Sequence, residues 1–89
     1  MKTARVVVHG RVQGVVFRQT CKQEATAAGV SGWVRNRGDG VVEAVFEGDD
    51  DAVDRMCAWC EDGPPDAQVV RVETSHEEPR GDRGFTIRS

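Results

Sequence analysis

Apolar side chains recur along the chain with two periods, and the switches between them mark its elements. Met1 to about Gly10 carries the run Val6-Val7-Val8 and reads as a first strand. From Arg18 to Ala28 the apolar face is Phe17, Cys21, Ala25 and Ala28, at spacings of four, four and three residues; that is helical, and Gly29 fits the helix end. Val30 to about Arg37 forms a second strand. Asp39-Gly40 is a hairpin signal, since both residues tolerate positive φ. Val41 to Glu47 then alternates, with Val42, Ala44 and Phe46 toward the core and Glu43, Val45 and Glu47 on the other face. Asp49-Asp50-Asp51 opens a second helix through capping and the helix dipole. Its stripe, Val53, Met56, Cys57 and Cys60, falls at i, i+3, i+4 and i+7, and Gly63-Pro64-Pro65 stops it. Around Val69 to Thr74 a fourth strand alternates Val70, Val72 and Thr74 against Val69, Arg71 and Glu73. A polar loop from His76 to Asp82 leads to a short last strand in which Phe85 and Ile87 alternate with Thr86 and Arg88.

The order is βαββαβ with a short extra C-terminal strand, an α+β pattern of the split βαβ or ferredoxin-like kind. It predicts a sandwich: a mostly antiparallel sheet with two helices on one face. A helical crossover makes the first two strands parallel, and the third turns back by a hairpin to fill the slot between them. The C-terminal ends of the first two strands then lie at one end of the sheet. The loop after Gly10 leaves one of these ends and Asn36 sits at the other, so they are predicted to share a mouth.

Composition narrows the classes. The chain has 89 residues, enough for one small domain, taken as residues 1–89. Twelve basic and fifteen acidic residues give a net charge of −3, which argues against a nucleic-acid or anionic-membrane surface. An RNA-reading sheet would also expose aromatics, whereas the chain has no Tyr and three Phe. No apolar stretch has the length of a membrane span or the pattern of a secretion signal. The odd cysteine count (Cys21, Cys57, Cys60) points to reduced thiols in the cytoplasm. Nothing in the sequence suggests an obligate partner, so a monomer is expected.

The segment from Gly10 to Arg18, GRVQGVVFR, is the main candidate for chemistry. It joins a strand to a helix start, where backbone amides point outward, and it carries two arginines. Arg18 offers a planar fork of donors to two phosphate oxygens. Gly14 permits a tight turn. Asn36 can orient a water molecule but cannot act as a base. The pocket therefore offers anion binding and water positioning with no obvious general acid or base. That inventory suits an activated phosphate, because a carboxylate leaves without protonation whereas an ordinary alcohol does not.

These residues carry a resemblance. Gly10–Arg18 and the segment Gly32–Glu43, GWVRNRGDGVVE, resemble the two signature segments of the acylphosphatase family, in the right order and at the right spacing. The element order extends the resemblance over essentially the whole chain. It implies a small enzyme that hydrolyses an acyl phosphate to a carboxylate and phosphate, with no metal and no cofactor. It assigns the substrate phosphate to Arg18 and to the loop Arg11, Val12, Gln13, Gly14, Val15, Val16 and Phe17, and the attacking water to Asn36. The substrate implied is a small-molecule acyl phosphate. Related domains also front larger carbamoyl-transfer maturation proteins; nothing follows Ser89, so a stand-alone enzyme is favoured.

Other conspicuous residues have ordinary readings. Cys57 and Cys60 lie on an apolar helix stripe and suit core packing better than a redox or zinc pair. Asp49–Asp51 suits a helix start better than a divalent ion. Arg11 alone is an exposed loop residue, Asn36 alone a turn former, and His9 has no catalytic role. Trp33 and Trp59 are packing or rim residues. The alternative class is a non-enzymatic ferredoxin-like binding module, since fold alone does not imply function.

Overall fold

In the computed structural model, which describes residues 1–89, the first strand β1 (Lys2–Arg11) pairs antiparallel with β3 (Val42–Gly48). β2 (Ser31–Asn36) flanks β3, and β4 (Gln68–His76) flanks β1. β5 (Phe85–Arg88) adds to β2 in parallel, giving a five-stranded sheet of order β4-β1-β3-β2-β5. The helices α1 (Phe17–Ala27) and α2 (Asp50–Asp62) cover one face, α1 over β2 and β5, α2 over β1 and β4. The expected sandwich and its extra strand are therefore present, with boundaries moved by a residue or two at most ends.

The core is the layer between helices and sheet. Val6, Val8, Val34, Val42, Ala44 and Phe46 come from the sheet; Phe17, Cys21, Ala25, Val53, Met56 and Cys60 come from the helices. Full burial of each larger side chain contributes about 1.5–3 kcal/mol. Phe17 opens α1 and packs edge-on against Trp59 with ring centroids 5.2 Å apart. Gly63 ends α2 where that ring comes close: a Cβ there would lie 2.8 Å from it. The Cys60 thiol is held protonated by its hydrogen bond with Cys21 and by burial, and burial first, then Cys60, pushes the half-buried Cys57 thiol up to about 11. The three thiols are free and act as core and near-core packing.

Three details depart from the sequence reading. β4 does not alternate regularly: the β1–β4 register slips between His9 and Gly10, so Arg71 faces His9, Val69 faces Gly10, and Val70 is skipped and exposed. Val69 and Val72 pack on the core instead. A β-bulge causes the shift, and Gly10 permits it: at φ 131°, a Cβ would lie 2.1 Å from the Gln68 carbonyl oxygen. Second, Asp49 makes no side-chain cap. The acids at the start of α2 act through charge, with Asp50 3.2 Å from the N-terminal ammonium and Asp54 2.8 Å from Lys2 Nζ.

Third, the outer face of β3 is as buried as its core face. Val45 is fully covered there, while Glu43 is held by Arg5 and Arg35. The connection from β4 to β5 crosses this face as a strap. Glu77 takes the Arg5 guanidinium, and the amides of Arg80 and Gly81 donate to Glu47 at 2.6 and 3.1 Å. These amide hydrogen bonds, Arg80 first, hold the Glu47 carboxyl below the usual carboxylate range although burial pushes it up. Burial pushes Glu43 up too, but Arg35 and Arg5 outweigh it and its pKa also ends low. Trp33 completes this face beneath the guanidinium groups of Arg5, Arg35 and Arg88.

Candidate functional site

The register places the two halves of the site. Val8 on β1 and Asn36 on β2 both lie opposite Val42 of β3, so they share one row of the sheet. With strands about 4.8 Å apart, their backbones are about 10 Å from each other. The chain leaving β1 leads into α1, which packs on β2 and β5.

There Val12, Gly14, Val16, Phe17, Arg18 and Gln19 line a pocket of about 200 Å³ together with Asn36. The shared mouth expected for Arg18 and Asn36 is thus present. Gln19 was missed by the sequence reading. Arg11 ends β1 opposite Gln68 and is exposed, outside the pocket lining. Val15 turns into the core. Gln13 acts as a tie, its Nε2 donating to the carbonyls of Arg37 at 2.8 Å and Val41 at 3.0 Å, on either side of the β2–β3 turn.

Backbone shape explains the loop. Gly14 has φ 75° with open space around it, so it is needed for its conformation and not for room. Val16 is left-handed as well, at φ 55°, ψ 28°, an outlier for a β-branched residue and one that costs about 1–3 kcal/mol. It serves as the N-cap of α1 without a capping side chain; its carbonyl accepts from the amide of Thr20 at 3.1 Å and from Thr20 Oγ1 at 2.9 Å.

The consequence is a row of donors. No backbone amide from Val12 to Val16 donates to a carbonyl of the chain, and those of Phe17, Arg18 and Gln19 open a helix with no turn before them. Val12, Val15 and Phe17 are nevertheless buried. Buried amides are ordinarily paired, so such a run is a candidate anion cradle. Arg18, like Arg11, Arg55, Arg83 and Arg88, makes no ion pair with an acid of the chain, whereas Arg5, Arg35, Arg37, Arg71 and Arg80 do; of the unpaired arginines only Arg18 lines the pocket. The first turn of α1 contains no acid either. A lone cation at a helix N-terminus is electrostatically unfavourable unless an anion joins it. The Asn36 carboxamide has no side-chain partner in the chain and stands half-buried at the pocket.

Two other polar clusters lie outside the pocket. His9 lies on the outer sheet face with Glu73, whose pKa is lowered first by that hydrogen bond and then by Arg71. The hollow over His76–Arg80 is at the opposite end of the sheet, and its charges pair with Arg5 and Asp82. No three His, Cys, Asp or Glu side chains gather as metal ligands, and no helix is long and apolar enough to cross a membrane.

Comparison with known proteins gives the family. The family profile Acylphosphatase matches residues 4–87. An acylphosphatase of Rubrobacter xylanophilus is 54% identical over 88 residues, covering 98% of this chain and 80% of that one. An acylphosphatase of Thermococcus kodakarensis is 51% identical over 84 residues, covering 94% and 92%. The crystal structure of acylphosphatase from Bacillus subtilis superposes with a TM-score of 0.96 at 34% identity, each chain fully covered.

Proposed function

The chain belongs to the acylphosphatase family, and on that premise we propose that Arg18 and the Val12–Gln19 amides hold the substrate's phosphoryl group while Asn36 aims the attacking water. The protein is a hydrolase that splits an acyl phosphate into a carboxylate and inorganic phosphate. The observation that carries the residue assignment is the coincidence, in one pocket, of unpaired amides, an arginine without an acid, and an unpartnered carboxamide.

The chemistry follows from these groups. The Asn36 carbonyl oxygen accepts a hydrogen bond from the water and turns a lone pair toward phosphorus. Attack proceeds in line with the departing oxygen, and charge on the three equatorial oxygens is met by the Arg18 fork and the amides. Each hydrogen bond to a charged oxygen is worth about 1.5–3 kcal/mol. The bond from phosphorus to the acyl oxygen breaks and a carboxylate departs. Its conjugate acid has a pKa near 4, so no general acid is required. The water's proton passes to the phosphoryl oxygens of the substrate. Charge stabilisation by Arg18 and the cradle stands where a metal would otherwise serve.

The same reading extends to context. The protein acts as a cytoplasmic monomer on a small molecule, with neither nucleic acid nor membrane as partner. The free thiols, the net charge of −3 and an outer sheet face filled by ion pairs support this. The test is phosphate release from an aromatic acyl phosphate with and without chelator. Undiminished turnover in chelator is expected; its loss would overturn the metal-free reading.

A further inference from the structure

We propose that Val16, flanked by Gln19, forms the acyl side of the pocket and selects substrates whose acyl group has an apolar body. The proposal rests on the assignment of Arg18 and Asn36 above and names the substrate class of that site.

In-line displacement fixes directions. The leaving oxygen lies opposite the attacking water, so the acyl group points away from Asn36, across the phosphoryl group. The pocket-lining residues then divide by what they can offer. Val12 and Phe17 are buried in the core at 1% and 2% exposure, and Gly14 has no side chain, so all three contribute backbone. Arg18 is engaged with phosphoryl oxygens. The side chains left to meet an acyl group are those of Val16 and Gln19, both exposed.

Val16 is 60% exposed and holds a left-handed backbone that glycine or asparagine adopts far more readily. Neither core packing nor backbone conformation accounts for an isopropyl group there. The other exposed large apolar residues, Met1, Val70 and Ile87, lie at a terminus, at the bulge and on the last strand. Only Val16 stands beside the candidate chemistry. Gln19 occupies the third position of α1, where the helix dipole would favour an acid. A carboxylate there would repel the phosphate, and the neutral amide leaves the rim uncharged. An apolar patch beside an uncharged amide favours an aromatic or branched aliphatic acyl group over a small polar one.

The experiment is the ratio of kcat/KM for benzoyl phosphate to that for acetyl phosphate, in the wild type and in Val16→Gly, Val16→Asn and Gln19→Ala. Glycine and asparagine both accept the left-handed conformation, so the loop can keep its course, and the ratio cancels any change common to both substrates. Loss of one apolar contact in a partly open pocket is expected to lower the ratio about fivefold to tenfold in both Val16 variants, with a smaller fall in Gln19→Ala. A ratio equal to the wild type's in both Val16 variants would overturn the proposal. Arg18→Ala is assayed alongside: full activity there would overturn the underlying site assignment, whereas an unmoved ratio with inactive Arg18→Ala would overturn the acyl-side assignment alone.

Discussion

The carboxamide of Gln13 donates to the main-chain carbonyl of Arg37 at 2.8 Å, which ties the loop before α1 to the residue after Asn36. Two segments far apart in sequence are thereby held in one geometry. The loop proposed as the phosphate cradle and Asn36, proposed to orient the water, belong to different elements, and this bond, with its companion to Val41, links them.

That link should be separable from chemistry. Gln13→Ala is expected to lower unfolding stability by about 1–2 kcal/mol, because the Arg37 and Val41 carbonyls each lose one of two donors and keep only the amides of Gly40 and Arg37. It should also raise KM as the loop loosens. Urea unfolding and steady-state kinetics check both; an unchanged KM would mean that the loop keeps its place without the tie.

Arg18 is expected to behave as a fork and not merely as a charge. Arg18→Ala should lower kcat/KM by about a hundredfold or more, the loss of two charge-assisted hydrogen bonds. Arg18→Lys should recover only part of this, since an ammonium cannot present two parallel donors. Competitive inhibition by inorganic phosphate should weaken in the same order.

Acid sensitivity should trace to the strap on the outer sheet face. The carboxyl pKa of Glu47 is lower in the folded protein than its ordinary value of 4.5. Its stabilisation is therefore complete above that ordinary value and is lost as pH falls through the lowered one. Thermal unfolding should show a falling midpoint below about pH 4.5. Glu47→Gln should start from a lower midpoint at neutral pH and show a shallower acid limb. An acid limb of equal depth in both proteins would assign the effect to other carboxylates.

Much of this arrangement was legible in the sequence because it is periodic. The spacing of Phe17, Cys21 and Ala25 and the alternation of Val42, Ala44 and Phe46 report burial on one face, and those faces are where the structure puts them. The meeting of Arg18 and Asn36 followed from topology, since parallel strands joined by a crossover end on the same side. What escaped had no period. The pairing of Glu43 with Arg5 and Arg35, and of Glu47 with two strap amides, depends on the path of an irregular loop. The skipped Val70 depends on a bulge that only Gly10 hinted at. Gln13 looked like one more cradle residue because its partners are carbonyls, which any sequence supplies. Gln19 was signalled only faintly, by an uncharged side chain in a helix turn that favours acids.

The central claim is that Asn36 aims the water while Arg18 and the loop hold the phosphate, and the kinetics of Asn36→Ala test it most directly. Hydrolysis of an aromatic acyl phosphate is measured beside inhibition by inorganic phosphate. The account predicts a kcat lower by about a hundredfold, the scale of loss for a misplaced reacting group, with the phosphate inhibition constant close to that of the wild type. Wild-type kcat in the purified Asn36→Ala protein would contradict it.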